Sequence, residues 1–431
     1  MTSAVAAAAA PFVSSFTRQE PSLRIPSRLP VRTLTTALAL AAVGALAVPA
    51  GTAAPHEPAP VDVAVDWYDL TAESVAAAGA STQVTNNRTW AVGWLAAARA
   101  LRADGRAAYQ EAALAGAVHE ALSELTPARA AELDAALDAT LDRVPDGPAE
   151  DAGLAAGRRE ARALLAERAG DGLDPASVNA PITLPEPAPG VWQPTPPAYG
   201  PPAQAGNRHA RPFLLAGADQ YRLAPPPAVD SARHRADLAE VEAYGSADST
   251  VRTAHQTETA EFWYGSSLTL YTEPLRVALD RSPGSLAERA ELVALFHVAL
   301  VDTQIATSDS KYAHLAWRPV TALRAGGDAD WTPLHVTPSH PDYPSGHGTY
   351  AGAAEGVLTS LVGPRTAPFE LTSPTAPGVT RTYTTWRQLS VENIDARVFS
   401  GIHTRTADVA GVRLGRTVAA HTLRNADQLF D

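Results

Sequence analysis

The chain has 431 residues, a formal net charge of −12, no cysteine and one methionine. The length leaves room for a sizeable core in two domains, or in one helical body with a long appendage. The acidic balance argues against nucleic acid and anionic membranes as general partners, and the missing cysteines exclude disulfides, thiolate metal sites and cysteine nucleophiles.

Residues 1–54 read as an export signal. Arg18, Arg24, Arg28 and Arg32 precede an uncharged stretch rich in Ala, Leu and Val from Thr33 to Ala50, with small residues for cleavage near 50–54. An N-terminal membrane anchor is the alternative, since about 20 apolar residues span a bilayer. Cleavage would leave a secreted chain with no membrane span.

Residues 55–170 are Ala-rich and carry helical periodicity, which predicts an N-terminal helical layer with helices near 66–79, 87–103, 107–125, 127–143 and 150–168. Leu114, Val118, Leu122 and Leu125 fall on one helical face. A Pro-rich connector occupies 171–230, with nine prolines in 181–202 and with Trp192 and Tyr199 available to pin it to a surface. Helical patterning returns over 231–431, near 231–243, 251–264, 270–280, 284–306, 346–362 and 403–426, with one strand signal at 378–384. The fold class is therefore all-α.

Lys311 is the only lysine in the chain, against 33 arginines. Lysine is a compact point charge and arginine a rigid planar fork, so the two are not interchangeable. Lys311 and Arg318 stand seven apart, two turns of one helix, which Pro319 would end or bend. Pro344-Ser345-Gly346-His347 has the punctuation of a turn opening a helix, where backbone N–H groups bind anions. Arg397 and His403 flank Gly401-Ile402, a loop running into the last helix. Three cations, two imidazoles and a Ser-Gly turn suit a tetrahedral oxyanion. His335, His340 and His347 match no common metal-ligand spacing. His340 or Trp317 is a candidate pocket residue, and Asp302 and Asp309 are candidate partners for the site's arginines.

This pattern resembles the vanadium-dependent haloperoxidase and type 2 phosphatidic acid phosphatase (PAP2) superfamily, whose motifs are Lys-x6-Arg-Pro, Pro-Ser-Gly-His and Ser-Arg-x3-Gly-x-His-x3-Asp. The stretches Asp309 to Arg324 and Arg252 to Trp263 resemble its soluble, exported bacterial branch, and the likeness covers about 60–430. It implies a haloperoxidase/PAP2-like helical bundle. It also implies vanadate bound through His403, its oxygens held by Lys311, Arg318, Ser345, Gly346 and Arg397, with His347 as acid–base and Lys311 also polarising peroxide. The reaction would be halide oxidation by hydrogen peroxide, with a small organic acceptor for the product. Two alternatives remain. One is an exported acid phosphatase that takes a phosphate monoester through a phospho-histidine at His403, without vanadate. The other is an anion-binding protein whose catalysis has decayed. The chain departs from the motif at Ala396, where Ser is expected, and at Ala407, where Asp is expected, with Asp408 one position later. Both departures weaken the phosphatase reading more, and the partner that orients His403 is not readable.

Overall fold

The computed structural model describes residues 62–80 and 82–430, so the export signal expected at 1–54 lies outside the described residues. The regular secondary structure of the described residues is helical apart from one hairpin. The N-terminal layer comprises α1 (Val63–Ala78), α2 (Gln83–Leu101), α3 (Ala107–Leu125), α4 (Ala130–Leu141) and α5 (Pro148–Glu167). Its alanine content allows close approach. A Cβ at Gly157 of α5 would lie 2.2 Å from the Ala113 carbonyl oxygen of α3, so these two helices touch backbone to backbone.

A short helix, α6 (Pro175–Val178), opens the connector, which then runs without long regular structure to α7 (Ala232–Gly245). The connector is a strap laid across the helices. Trp192 is fully buried and its backbone N–H donates to the Leu315 carbonyl at 2.6 Å, whereas Tyr199 is exposed and pins nothing. Asp302 accepts three strap N–H groups, from Phe213, Leu214 and Leu215, at 2.7–3.1 Å. Asp309 pairs with Arg222. These two acids therefore anchor the strap and do not serve the site's arginines, because their side chains leave the helix on the strap side.

The second half continues with α8 (Ala254–Phe262), α9 (Ser267–Asp280), α10 (Leu286–His314), α11 (Pro319–Ala325) and α12 (Gly346–Val362). The hairpin β1 (Arg365–Ser373) and β2 (Ala376–Thr385) follows, then α13 (Trp386–Phe399) and α14 (Arg405–Arg424). The single expected strand is thus the second arm of an antiparallel pair, with Phe369 opposite Tyr383. A Ser285–Glu288 capping box opens α10. This 29-residue helix is long and apolar enough to cross a membrane, and here it is buried inside the bundle. It packs on α2, α12 and α14 and forms the spine of the core.

Lys311 and Arg318 do not share a helix. The helix ends at His314, Leu315 turns to φ +48°, and Arg318 is extended as the N-cap of α11. Two carbonyl–amide bonds to the strap, at Leu315 and Trp317, hold this break open. Arg397 lies in the last turn of α13, a helix the loop expectation had missed. Helices α12 and α14 meet at glycines. A Cβ at Gly352 would lie 2.1 Å from the Val412 carbonyl oxygen, and one at Gly415 would lie 2.0 Å from that of Thr349. That contact brings the start of α12, with Ser345 to His347, beside the start of α14, with His403.

Candidate oxyanion site

The structure gathers all seven expected residues around the N-termini of α12 and α14. Lys311, Arg318, Ser345, Arg397 and His403 are each buried to within 4 % exposure, while Gly346 and His347 are half-buried at the cavity wall. Lys311 reaches the site from the end of α10. Its Nζ donates to the carbonyls of Pro341, at 2.5 Å, and Asp342, at 3.3 Å. Arg318 spreads its fork over two loops. Nε donates to the His340 carbonyl at 2.7 Å, Nη1 to the Ile402 carbonyl at 2.6 Å and to His403 Nε2 at 3.0 Å, and Nη2 to His340 Nδ1 at 3.0 Å. Arg397 donates from Nη1 to the Trp263 carbonyl at 3.2 Å, and its buried Nε has no acceptor.

Sequence reasoning left the orienting partner of His403 open, and the structure supplies it. Nδ1 lies 2.6 Å from Asp342 Oδ1, while the Thr404 hydroxyl donates to Oδ2 at 2.7 Å. A carboxylate at that nitrogen fixes the proton on Nδ1 and leaves Nε2 unprotonated, its lone pair accepting from Arg318 Nη1. Asp342 opens the same Asp-Tyr-Pro-Ser-Gly-His run that supplies Ser345 and His347. An acid leading a run of turn-formers was the available signal. Asp408 does not reach His403. It is fully buried, neither of its oxygens has a hydrogen-bond partner, and it feels the Ser345 hydroxyl and the Arg397 charge.

His347 lies across the cavity. Its Nε2 is 2.9 Å from the Gly265 carbonyl, so Nε2 carries the proton and Nδ1 is the free base. Ser345 caps α12, its Oγ accepting the Gly348 N–H at 3.2 Å. The N–H groups of Gly346 and His347, first in that helix, have no intrahelical acceptor.

Burial sets the protonation states. It holds His403 well below the usual histidine range, helped by the charges of Arg318 and Lys311. It does the same to His347, with Arg397 adding to the effect. Both imidazoles are therefore neutral. Burial and the neighbouring Arg318 push Lys311 well below its ordinary value, and burial brings Arg318 and Arg397 down to about 10. Burial raises Asp342 to about 6 against the pull of Arg318. Three cations crowded in a dry pocket disfavour one another, and a multivalent anion among them relieves that strain.

The residues present fit a tetrahedral oxyanion. Arg397 Nε is a buried donor without an acceptor, His403 Nε2 is unprotonated with only Arg318 Nη1 against it, and the first turn of α12 has free N–H groups. Among the described residues no cluster of three or more His, Asp or Glu side chains could hold a metal cation. Of the two candidate pocket residues, His340 lines the cavity with Lys311 and His347, whereas Trp317 stacks on His234 and lines a separate small cavity behind Asp342 and Thr404.

Residues 291–431 match the family model of the VCPO second helical-bundle domain. No curated protein matches the chain. Among solved structures the chain is similar to a bacterial vanadium-dependent iodoperoxidase, with TM-score 0.72 and 24 % identity over 85 % of this chain and 97 % of that one. It is also similar to a bacterial vanadium-dependent chloroperoxidase in its apo form, with TM-score 0.64 and 16 % identity over 80 % of this chain and 94 % of that one. The holo form of a bacterial vanadium-dependent chloroperoxidase gives TM-score 0.63 at 16 % identity, over 84 % of this chain and 93 % of that one. At these identities the likeness establishes the fold.

Proposed function

We propose that this chain, whose fold is that of the vanadium haloperoxidase/PAP2-like superfamily, is a haloperoxidase-type enzyme that oxidises halide with hydrogen peroxide. The observation that carries the reading is the line Asp342–His403–Arg318. It presents a neutral imidazole nitrogen to a buried group of three cations.

Vanadate, bound through His403 Nε2, would supply a Lewis-acid centre that activates peroxide toward halide. Lys311, Arg318 and Arg397 would hold and neutralise it, with the Gly346 N–H and the Ser345 hydroxyl beside them. Lys311 has a third N–H to turn toward bound peroxide, because two are spent on the Pro341 and Asp342 carbonyls. His347 Nδ1 would accept a proton from incoming peroxide, while the Gly265 carbonyl keeps Nε2–H in place. Asp342 holds the His403 ring and its tautomer throughout.

A phosphatase reading uses the same His403 Nε2 as a nucleophile, and the Asp342 contact favours that reading equally. Ala396 and Ala407 stand against it. The segment 1–54 supports export, which suits a protein that releases a diffusible oxidant. Protein loaded with vanadate and given peroxide and bromide should brominate a phenolic dye. His403→Ala should abolish this together with tight vanadate binding, while His347→Ala should lower turnover about 10²–10⁴-fold and spare binding. Hydrolysis of an aryl phosphate without any bromination would overturn the proposal in favour of the phosphatase.

A further inference from the structure

The spine helix changes character halfway. From Asp302 to Lys311 eight of ten residues are polar, and all ten are buried. Two of the acids are taken up by the strap, as described above. Of the other six, Gln304, Thr307, Ser308 and Lys311 stand at i, i+3, i+4 and i+7, on one face. That face, with Tyr312 and Thr349, lines a cavity of about 80 Å³.

The hydrogen-bond inventory of this wall is lopsided. Thr307 and Thr349 own one hydroxyl proton each, and three contacts compete for the pair. These are the Thr303 carbonyl at 2.6 Å, the Gly346 carbonyl at 2.8 Å and the 2.9 Å contact between the two hydroxyls. No proton is left over for a ligand. Ser308 donates to the Gln204 carbonyl at 2.7 Å, and the Tyr312 hydroxyl donates to that of Ala203. Gln304 Nε2 donates to the Leu300 carbonyl at 3.1 Å, which fixes the amide. Its Oε1 is buried and has no partner. The α10 face therefore presents lone pairs with Lys311 as the donor at its end, while Gln83, Gln204 and Gly346 line the rest of the cavity.

A halide stripped of water needs donors around it, and along the α10 face it would meet lone pairs until it reached Lys311. An aromatic acceptor needs far more room than a cavity for a few water-sized molecules. Hydrogen peroxide is small and uncharged, with two O–H donors and lone pairs on both oxygens. We infer that this face of α10 is the path by which hydrogen peroxide is admitted and oriented. It donates first to Gln304 Oε1 and the Thr307 and Ser308 oxygens, then accepts from Lys311 Nζ two turns further on. Halide and organic acceptor reach the chemistry by another side. The inference rests on the haloperoxidase reading and adds Gln304 and Thr307 as determinants of peroxide specificity.

The test compares vanadate-loaded wild type with Gln304→Met and Thr307→Val, both close to isosteric. Peroxide affinity is read from the absorbance change on titration, peroxide and bromide KM from turnover, and vanadate affinity by calorimetry. Each variant should weaken peroxide binding and raise its KM about fivefold or more, as expected for a lost hydrogen bond. Bromide KM and vanadate affinity should stay within about twofold. Should Gln304→Met fail to fold, Thr307→Val reads the same expectation from the next turn. Unchanged peroxide affinity in a variant of an active wild type overturns the inference alone, as does an effect confined to bromide. A loaded wild type that neither binds peroxide nor oxidises bromide instead overturns the reading beneath it.

Discussion

Arg318→Lys isolates shape from charge at the centre of the site. Arg318 is fully buried and makes four contacts with one planar group, to the His340 carbonyl, the Ile402 carbonyl, His403 Nε2 and His340 Nδ1. A lysine ammonium is a single point on a flexible stem and reaches one carbonyl, or two at most. Two buried acceptors then lose their donor, at about 1–3 kcal/mol each, so the loops carrying His340 and Ile402 lose about 2–6 kcal/mol of restraint. Loss of a group that orients a ligand typically weakens metal-site affinity about 10–100-fold. Calorimetric titration with vanadate should show a loss of that size for Arg318→Lys and a larger one for Arg318→Met, which removes the charge as well. Urea denaturation should show the apoprotein destabilised by either substitution. If Arg318→Lys binds vanadate within about threefold of wild type, the fork geometry is irrelevant and the argument from its four contacts fails.

Three further outcomes follow from the packing. Gly401→Ala forces a side chain onto a residue at φ +76°, with its Cβ 2.3 Å from the Gly245 carbonyl oxygen. The conformation alone costs about 1–2 kcal/mol, and the displaced loop carries His403, so urea midpoint and vanadate affinity should fall together. His297 is buried and neutral, burial holding it well below 6.5, while its unfolded form titrates near 6.5. The unfolded chain therefore takes up the extra proton as pH drops below 6.5, and stability falls by up to about 1.4 kcal/mol per pH unit for this group. His297→Gln should flatten the decline between pH 6.5 and 5 by that slope, and parallel curves for the two proteins would refute it. Trp192→Ala empties a fully buried site under the strap. It should cost about 3–5 kcal/mol in denaturation, and limited proteolysis of native protein should then cut first within 180–203.

Much of the architecture was written in local signals. Helix α12 runs over the expected 346–362 because Ser345 caps it and Gly363 ends it, both visible in the chain. The N-terminal helices follow from alanine content and periodicity. The end of α10 was not legible, because the seven-residue spacing of Lys311 and Arg318 also fits a continuous helix. What breaks that helix is distant, namely backbone bonds from Gly190 and Trp192 of the strap. Helix α13 was missed although Thr385 and Gln388 form a capping box, since the arms of a hairpin run straight into it. Within the site, the cations and both imidazoles were legible as residue types in motif order. Asp342 was not, because an acid near a turn is common and only the folded chain brings it to His403. The same holds for Asp302 and Asp309, whose partners lie about 90 residues earlier in the chain.

The solitary lysine has a practical consequence. No other ε-amine exists in the 431 residues, and this one is only 4 % exposed. Acylating reagents that ordinarily decorate a protein's whole coat therefore find a single ε-amino target here, behind the cavity wall. The rate at which that amine is modified becomes a direct clock for breathing of the pocket floor, free of background from surface lysines.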